Sequence, residues 1–322
     1  MQKNNRREFL KKTACVAGGA LPWLAAGGTA WGGAAAQGAP HIKFPTAPRA
    51  RLGVATWPFR AFFDTPTNYW RDKKQPSMDL TEFPALLVKR FNVHAIEPLS
   101  NHFSSTDADY LHRFRAATEA AGVRVIDLAV GGKDSVYSPD PAVRDKAVAF
   151  GKQWVQIAVA VGSPSIRLHI AGVHGVQPDV HLAAQSLGRI AAYGAQHNVV
   201  INLENDDLKT EDAFFIVKVI EAAGSGNLHA LPDFANSMLS GSADFNYRAV
   251  TAMFKHAYNI AHVKDGEVDG HGQFVSIDMK RTFAIAKAAG YKGYFSMEFE
   301  GRGDPYAGTQ KLIEESLKYL SA

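Results

Sequence analysis

The 322-residue chain is 46% hydrophobic and 20% charged, a composition that excludes a disordered protein and provides enough residues for a large folded core. Its formal net charge of +4 comes from residues 1–36, which hold five of the 35 Lys and Arg and one of the 31 Asp and Glu. The remaining 286 residues carry 30 charges of each sign, which argues against a basic nucleic-acid-binding surface. The only cysteine, Cys15, also lies in the first 36 residues, so the rest offers no thiolate and no disulfide.

Residues 1–36 have the pattern of an export signal. Arg6 and Arg7 precede a hydrophobic pair, an uncharged Ala- and Gly-rich run follows, and the small residues Ala34–Ala36 suit a cleavage site. The pattern resembles a twin-arginine signal, which implies export by the twin-arginine machinery to the periplasm. Because Pro22 and many glycines make the run a poor spanning helix, we expect cleavage and no stable membrane insertion, with an uncleaved anchor as the alternative.

Residues 37–50 contain three prolines and no periodicity, which indicates a linker. From residue 51 onward, β-rich and amphipathic helical segments alternate strictly. The predicted strands are Leu52–Thr56, Ala95–Leu99, Arg124–Ala129, Ser165–Ile170, Val199–Glu204, His229–Asp233, Ile260–Lys264 and Tyr294–Glu298. The predicted helices are Leu80–Arg90, Asp107–Ala121, Pro141–Val161, Pro178–Gln196, Thr210–Ala223, Phe245–His256, Ser276–Ala289 and Tyr306–Leu320.

Eight such units predict an α/β protein with parallel strands, and the count favours a single closed (β/α)8 TIM barrel over residues 51–322. An open dinucleotide-binding sheet is disfavoured because the first strand-to-helix turn, Thr56–Arg60, lacks the glycine-rich fingerprint. The segment between Thr56 and Leu80 is long and aromatic, beginning with Trp57. At the C-terminal face of a barrel such a segment forms either a lid or pocket wall, or an insertion that packs on itself.

Ionisable residues end four consecutive predicted strands. Strands five to eight deliver Glu204, Asp233, His262 and Glu298, at spacings that match successive βα units. Active-site groups in TIM barrels project from these strand ends, and three converging carboxylates repel one another unless a cation binds them. Three carboxylates and one imidazole suit Mn²⁺ or Mg²⁺, with Co²⁺ or Zn²⁺ as alternatives. The competing interpretation is that each acid is a solvated loop residue or a helix cap.

The same runs resemble the xylose isomerase-like barrel superfamily, in particular its sugar phosphate isomerase/epimerase group and the ketose 3-epimerases. The motifs are Ile201–Asn205, Asp233–Asn236, His262–Asp265 and Ser296–Glu300. The resemblance implies that the quartet binds a divalent metal and that Glu204 and Glu298 also act as the acid/base pair. Two positions depart from the ketose epimerases: Asn236 replaces a substrate-contacting His, and Val268 replaces a sugar-binding Arg.

Further polar residues near these strand ends are candidates for substrate binding: Trp57, Arg167, His169, Asn236 and Lys264. Arg167 and His169 share one face of the fourth strand, as do His262 and Lys264 on the seventh. Glu300 is the rival to Glu298 as the fourth ligand.

The quartet and its acid/base pair predict a metal-dependent sugar isomerase or epimerase. Such an enzyme abstracts a proton from the carbon beside a carbonyl and forms an enediolate intermediate. The first alternative is a lyase acting on 3-keto-glycosides, and the second is a periplasmic sugar-binding barrel without activity. A DNA-repair endonuclease of this barrel type is disfavoured, since it needs more histidines for three zinc ions. The sequence does not decide between a monomer and a homo-oligomer.

Overall fold

The computed structural model describes residues 41–269, 271–301 and 303–321. The predicted export signal lies outside the described residues. The barrel strands are β1 (Leu52–Ala55), β2 (Ala95–Glu97), β3 (Arg124–Val125 and Leu128–Val130), β4 (Ser165–Leu168), β5 (Val200–Glu204), β6 (Leu228–Leu231), β7 (Ile260–Val263) and β8 (Tyr294–Met297). The helices are α1 (Phe83–Phe91), α2 (Ala108–Ala120), α3 (Pro141–Val161), α4 (Val180–Gln196), α5 (Ala213–Ala223), α6 (Ala243–Phe254), α7 (Met279–Ala288) and α8 (Pro305–Leu320).

All neighbouring barrel strands are parallel, as the βα alternation predicts. One arc runs β3–β2–β1–β8–β7, and the other runs from the second part of β3 through β4 and β5 to β6. A parallel bridge between Asp233 and His262 joins β6 to β7, and the two parts of β3 join the arcs on the other side. The predicted single (β/α)8 TIM barrel is therefore confirmed.

The helix boundaries follow from local capping. Asp140, Asp179 and Asp278 each accept a backbone N–H bond at a helix start, which satisfies an otherwise unpaired donor. Gly162 and Gly224 end helices with positive φ angles of 76° and 57°, a conformation that costs glycine little. Within the described residues, no helix has the length and apolar character needed to span a membrane.

Several element boundaries are shifted by one to three residues from the predicted ones, such as α1 at Phe83 and α5 at Ala213, and two larger differences follow. Strand β3 is interrupted at Ile126 and Asp127, where a buried carboxylate turns into the barrel. An antiparallel hairpin, Gly266–Val268 paired with Phe274–Ser276, follows β7. The prediction that α7 begins at Ser276 was wrong, because Ser276 pairs with Gly266, and Asp278 caps a helix that begins at Met279, three residues after Ser276.

The segment before β1 covers the N-terminal end of the barrel. Phe44 packs under the inward side chains of Ala95, Ile126, Leu231, Ile260 and Tyr294. Its ring meets Tyr258 and Tyr294 edge-on, with centroids 5.5 and 6.1 Å apart. The backbone N–H of Ile42 donates to the Tyr258 hydroxyl at 3.1 Å. Part of the predicted linker thus covers the apolar floor of the barrel.

Candidate metal centre

The four predicted ligands converge at the C-terminal end of the barrel. One donor atom from each of Glu204, Asp233, His262 and Glu298 lies within 4.8 Å of every other, and all four side chains are buried. Glu204 is the last residue of β5, while Asp233, His262 and Glu298 lie on or just past β6, β7 and β8. Buried carboxylates at this spacing need a positive charge between them. The structure therefore brings together the quartet that the strand ends predict.

His262 is held so that one ring nitrogen faces the carboxylates. Its Nδ1 lies 2.9 Å from Glu204 Oε1, 3.5 Å from Glu298 Oε2 and 3.9 Å from Asp233 Oδ2. Its Nε2 lies 2.8 Å from the buried Glu97 Oε1 at the end of β2. A carboxylate that accepts the Nε2–H leaves the Nδ1 lone pair for a metal, a common support for metal-binding histidines.

The electrostatic field at His262 is strongly negative. Burial alone would lower the pKa of His262, yet the carboxylates of Glu97, Glu298 and Glu204 raise it well above its usual value. The same crowding, with burial as the larger cause, raises the pKa of Asp233 to about 7. A field that retains protons on these groups also attracts a divalent cation in their place.

Asp233 shows that the donor set fits a cation. Its Oδ1 accepts the backbone N–H groups of Ala235 and Asn236 at 2.8 and 2.7 Å, which fixes the carboxylate. Its Oδ2 is buried, and no described residue donates a hydrogen bond to it. A fully buried carboxylate oxygen without a donor is costly, and a metal ion satisfies it.

Three of the predicted substrate-binding residues surround the quartet. Lys264 Nζ is fully buried and lies 2.9 Å from Glu298 Oε2 and 3.5 Å from Asp233 Oδ2. Asn236 accepts a hydrogen bond from Lys264 Nζ at 2.9 Å and donates one to Glu204 Oε1 at 3.0 Å. Arg167 Nε lies 3.1 Å from Glu204 Oε2. Arg167 and Lys264 thus place two positive charges beside the ligand carboxylates.

Trp57 and Glu300 close one side of the site. The Trp57 indole N–H donates to Glu300 Oε2 at 2.5 Å, and the Arg60 guanidinium stacks over the Trp57 ring at 4.1 Å. Arg60 Nη2 also lies 3.6 Å from Glu300 Oε1. The start of the long β1–α1 segment therefore borders the candidate metal centre, since Glu300 Oε2 also lies 3.8 Å from Lys264 Nζ. Glu300, the rival ligand, contacts Trp57 and Arg60, whereas Glu298 belongs to the quartet.

His169 belongs to a second charged cluster, together with Asp206 and Glu211. Its Nδ1 is 2.6 Å from Glu211 Oε2 and 3.5 Å from Asp206 Oδ2. Burial opposes protonation, but Glu211 and then Asp206 raise the pKa of His169 to about 9.

The four residues that the strand ends predict as ligands lie together, but some of the side chains that contact them were not predicted. Glu97 lies within the predicted strand Ala95–Leu99, and its hydrogen bond to His262 spans 165 residues. Asp206 and Glu211 lie in the β5–α5 loop, where acids are common on any surface. Glu267 lies in the unpredicted hairpin, 3.4 Å from Lys264. The available signal was an acid at the C-terminal end of β2, a position that faces the same rim.

Comparison with known proteins agrees with this architecture. The family model described as Xylose isomerase-like TIM barrel matches residues 86–322. The chain therefore belongs to the xylose isomerase-like TIM barrel family. A search of curated proteins found no match.

Solved structures with the same barrel include several sugar epimerases. D-psicose 3-epimerase from Clostridium cellulolyticum H10, solved with D-tagatose, is 15% identical with a TM-score of 0.62, over 84% of this chain and 97% of that one. L-ribulose 3-epimerase is 17% identical with a TM-score of 0.63, over 84% and 96%. A xylose isomerase domain protein from Planctomyces limnophilus is 20% identical with a TM-score of 0.61, over 84% and 96%. At these identities the similarity establishes the shared fold.

Proposed function

We propose that the protein is a metal-dependent sugar isomerase or epimerase that moves a proton on a carbon next to a carbonyl group. The observation that carries this proposal is the buried convergence of Glu204, Asp233, His262 and Glu298 at the catalytic face of the barrel. The names of the similar solved structures, which include D-psicose and L-ribulose 3-epimerases, support a carbohydrate substrate.

The quartet would hold a divalent cation, for which Mn²⁺ fits the oxygen-rich donor set best, while Mg²⁺, Co²⁺ and Zn²⁺ also fit. When bound, the cation polarises a carbonyl and makes the adjacent C–H more acidic. Glu204 and Glu298 then serve as the proton carriers, one removing the proton and the other returning it. Asp233 and His262 serve as ligands only, since backbone donors and Glu97 fix their orientation.

The positive groups beside the quartet suit the transition state. Lys264, buried between Glu298 and Asp233, stabilises negative charge as it develops on a substrate oxygen. Arg167 fixes Glu204 by an ion pair and offers its remaining N–H groups to substrate hydroxyls. Trp57 supplies an apolar wall for the C–H faces of the sugar. Asn236 bridges Glu204 and Lys264 by hydrogen bonds, so a substrate that contacts Asn236 also lies next to these two side chains.

The direct test is solvent isotope exchange. We expect the Mn²⁺-loaded protein in D₂O to introduce deuterium next to the carbonyl of a ketose from a panel of free ketoses, detected by mass spectrometry. Glu204→Gln and Glu298→Gln should reduce exchange by about 100-fold or more, since each removes one proton carrier. Glu119→Gln is the control, because Glu119 is an exposed acid on α2 that pairs with Arg115, and it should leave exchange within a few-fold of wild type.

The products of the same reaction decide between the chemical alternatives. A new sugar of identical mass indicates epimerisation or isomerisation. Release of an aglycone from a 3-keto-glycoside, without exchange into any ketose, contradicts the proposal and indicates elimination. Sugar binding without exchange or product indicates a carbohydrate-binding barrel and contradicts it as well.

A further inference from the structure

A second group of metal-ligating side chains lies outside the quartet. His169 follows β4, and Asp206 and Glu211 lie in the loop after β5. One donor atom from each lies within 4.8 Å of the other two, with His169 Nδ1 2.6 Å from Glu211 Oε2 and 3.5 Å from Asp206 Oδ2. These three side chains meet as closely as those of the quartet, where the corresponding distances from His262 Nδ1 run from 2.9 to 3.9 Å.

Glu211 provides a second and independent observation. The residue is fully buried, and its Oε1 accepts the backbone N–H of Ile170 at 2.7 Å. No described residue donates a hydrogen bond of acceptable geometry to Oε2, although this oxygen faces the imidazole. The carboxylate is therefore fixed through one oxygen and presents the other, which is buried, to the imidazole 2.6 Å away at the centre of the cluster. Asp233 in the quartet is likewise fixed through one oxygen and presents the other to the neighbouring charged groups.

We propose that His169, Asp206 and Glu211 bind a second divalent cation. Two carboxylates and a neutral imidazole balance the charge of one such ion, and this donor set suits Mn²⁺ or Zn²⁺. Three protein ligands leave coordination positions open, as in catalytic metal sites. The site goes beyond the proposed function, because the quartet binds its own cation without it.

Arg167 separates the two sites. Its Nε contacts Glu204 of the quartet at 3.1 Å, and it lies two residues before His169 on the same strand face. Asp206 similarly follows Glu204 by two residues. Both sites therefore lie at one rim of the barrel, and the carboxylates of Glu204, Asp206 and Glu211 all act on the charge of Arg167, which reduces the repulsion between them. The open coordination positions of the second cation suit oxygen atoms from a polyhydroxylated or carboxylated substrate.

The test is metal stoichiometry of tag-free, chelator-stripped protein, titrated with Mn²⁺ alone and checked by elemental analysis after desalting. We expect two ions in wild type and one ion each in Asp206→Asn, Glu211→Gln and His169→Ala. Asp233→Asn, which disables the quartet, should also retain one ion. His174→Ala is the control, because His174 is exposed in the same loop as His169 and should leave two ions bound.

The outcomes separate this site from the quartet. One ion in wild type that is lost in Asp233→Asn and kept in Glu211→Gln overturns the second site, makes His169 and Glu211 a plain ion pair, and leaves the proposed function intact. No ion in wild type overturns both proposals. Circular dichroism and thermal melting in excess chelator identify any variant that fails to fold. The near-isosteric Asp206→Asn and Glu211→Gln keep the test decisive if His169→Ala unfolds.

Discussion

At the scale of single residues, the centre depends on side chains that never touch the substrate. Glu97 and His262 are both fully buried, and their 2.8 Å contact fixes the imidazole so that Nδ1 faces Glu204. Such carboxylate–histidine contacts commonly set both the orientation and the basicity of a metal-binding ring. Glu97 is therefore a positioning residue for the His262 ring, and through that ring for a metal bound by the quartet as proposed.

We predict that Glu97→Gln weakens Mn²⁺ affinity by about 10-fold, because an amide oxygen still accepts the Nε2–H but adds no negative charge. A competition titration with a fluorescent chelator measures the change. Glu119→Gln, an exposed acid on α2, is the control and should leave affinity unchanged. Unaltered affinity in Glu97→Gln would contradict the positioning role.

Asp127 is a second buried carboxylate, below the quartet. Its Oδ1 accepts from Asn202 Nδ2 at 3.0 Å and from the Ser165 hydroxyl. Burial, and then the charge of Glu97, raise the pKa of Asp127 to about 8. The folded protein therefore retains a proton that the unfolded chain releases near pH 4. The stability from this proton is fully present below about pH 4 and is lost as the pH rises through about 8.

We predict that wild type loses stability relative to Asp127→Asn between pH 5 and pH 8, by up to about 1.4 kcal/mol per pH unit. Asparagine imitates the protonated carboxyl and does not titrate, so the difference isolates this group. Urea denaturation in excess chelator, at both pH values, measures it. A difference that is independent of pH would show that Asp127 is ionised in the fold.

The four quartet residues could be predicted, because each of them ends a strand in one of four consecutive βα units. The buried side chains that contact them could not be predicted from the sequence. Glu97 meets His262, and Asp127 meets Asn202, across the barrel interior. Such contacts depend on the strand tilt and register, which periodicity does not reveal.

At the scale of elements, the segment before β1 is part of the barrel's stability. Phe44 covers the apolar floor, against the rings of Tyr258 and Tyr294. The prolines that suggested a linker do not prevent this packing, since an extended strap needs no periodicity. By contrast, the hairpin after β7 was missed because its strands are three residues each and partly exposed.

We predict that Phe44→Ala lowers the free energy of unfolding by about 1–3 kcal/mol, since it removes a half-buried aromatic ring from the floor. Lys43→Ala, at an exposed neighbouring position, should change stability by less than about 0.5 kcal/mol. Urea denaturation compares the two. Equal stability of both variants would show that the strap does not contribute to the fold.

At the scale of the whole molecule, the barrel was predictable because eight β-rich and eight amphipathic segments alternate without exception. Capping residues such as Asp140 at the start and Gly162 at the end of α3 allowed the helix ends to be predicted from the sequence. The closed sheet then concentrates its polar side chains at one end and seals the other with apolar ones. This polarity is what makes a metal-dependent sugar enzyme the function that the molecule supports best.

The most direct measurement is Mn²⁺ titration of the chelator-stripped protein, followed by electron paramagnetic resonance of the free ion. We predict that wild type and Glu300→Gln both bind added Mn²⁺, so that the signal of the free ion falls. In a Glu211→Gln background, which disables the proposed second site, Glu298→Gln should bind Mn²⁺ at least about 10-fold more weakly, because it replaces a ligand carboxylate with an amide. If all added Mn²⁺ stays free in wild type, or if Glu300→Gln loses binding while Glu298→Gln retains it, the quartet is not the metal centre.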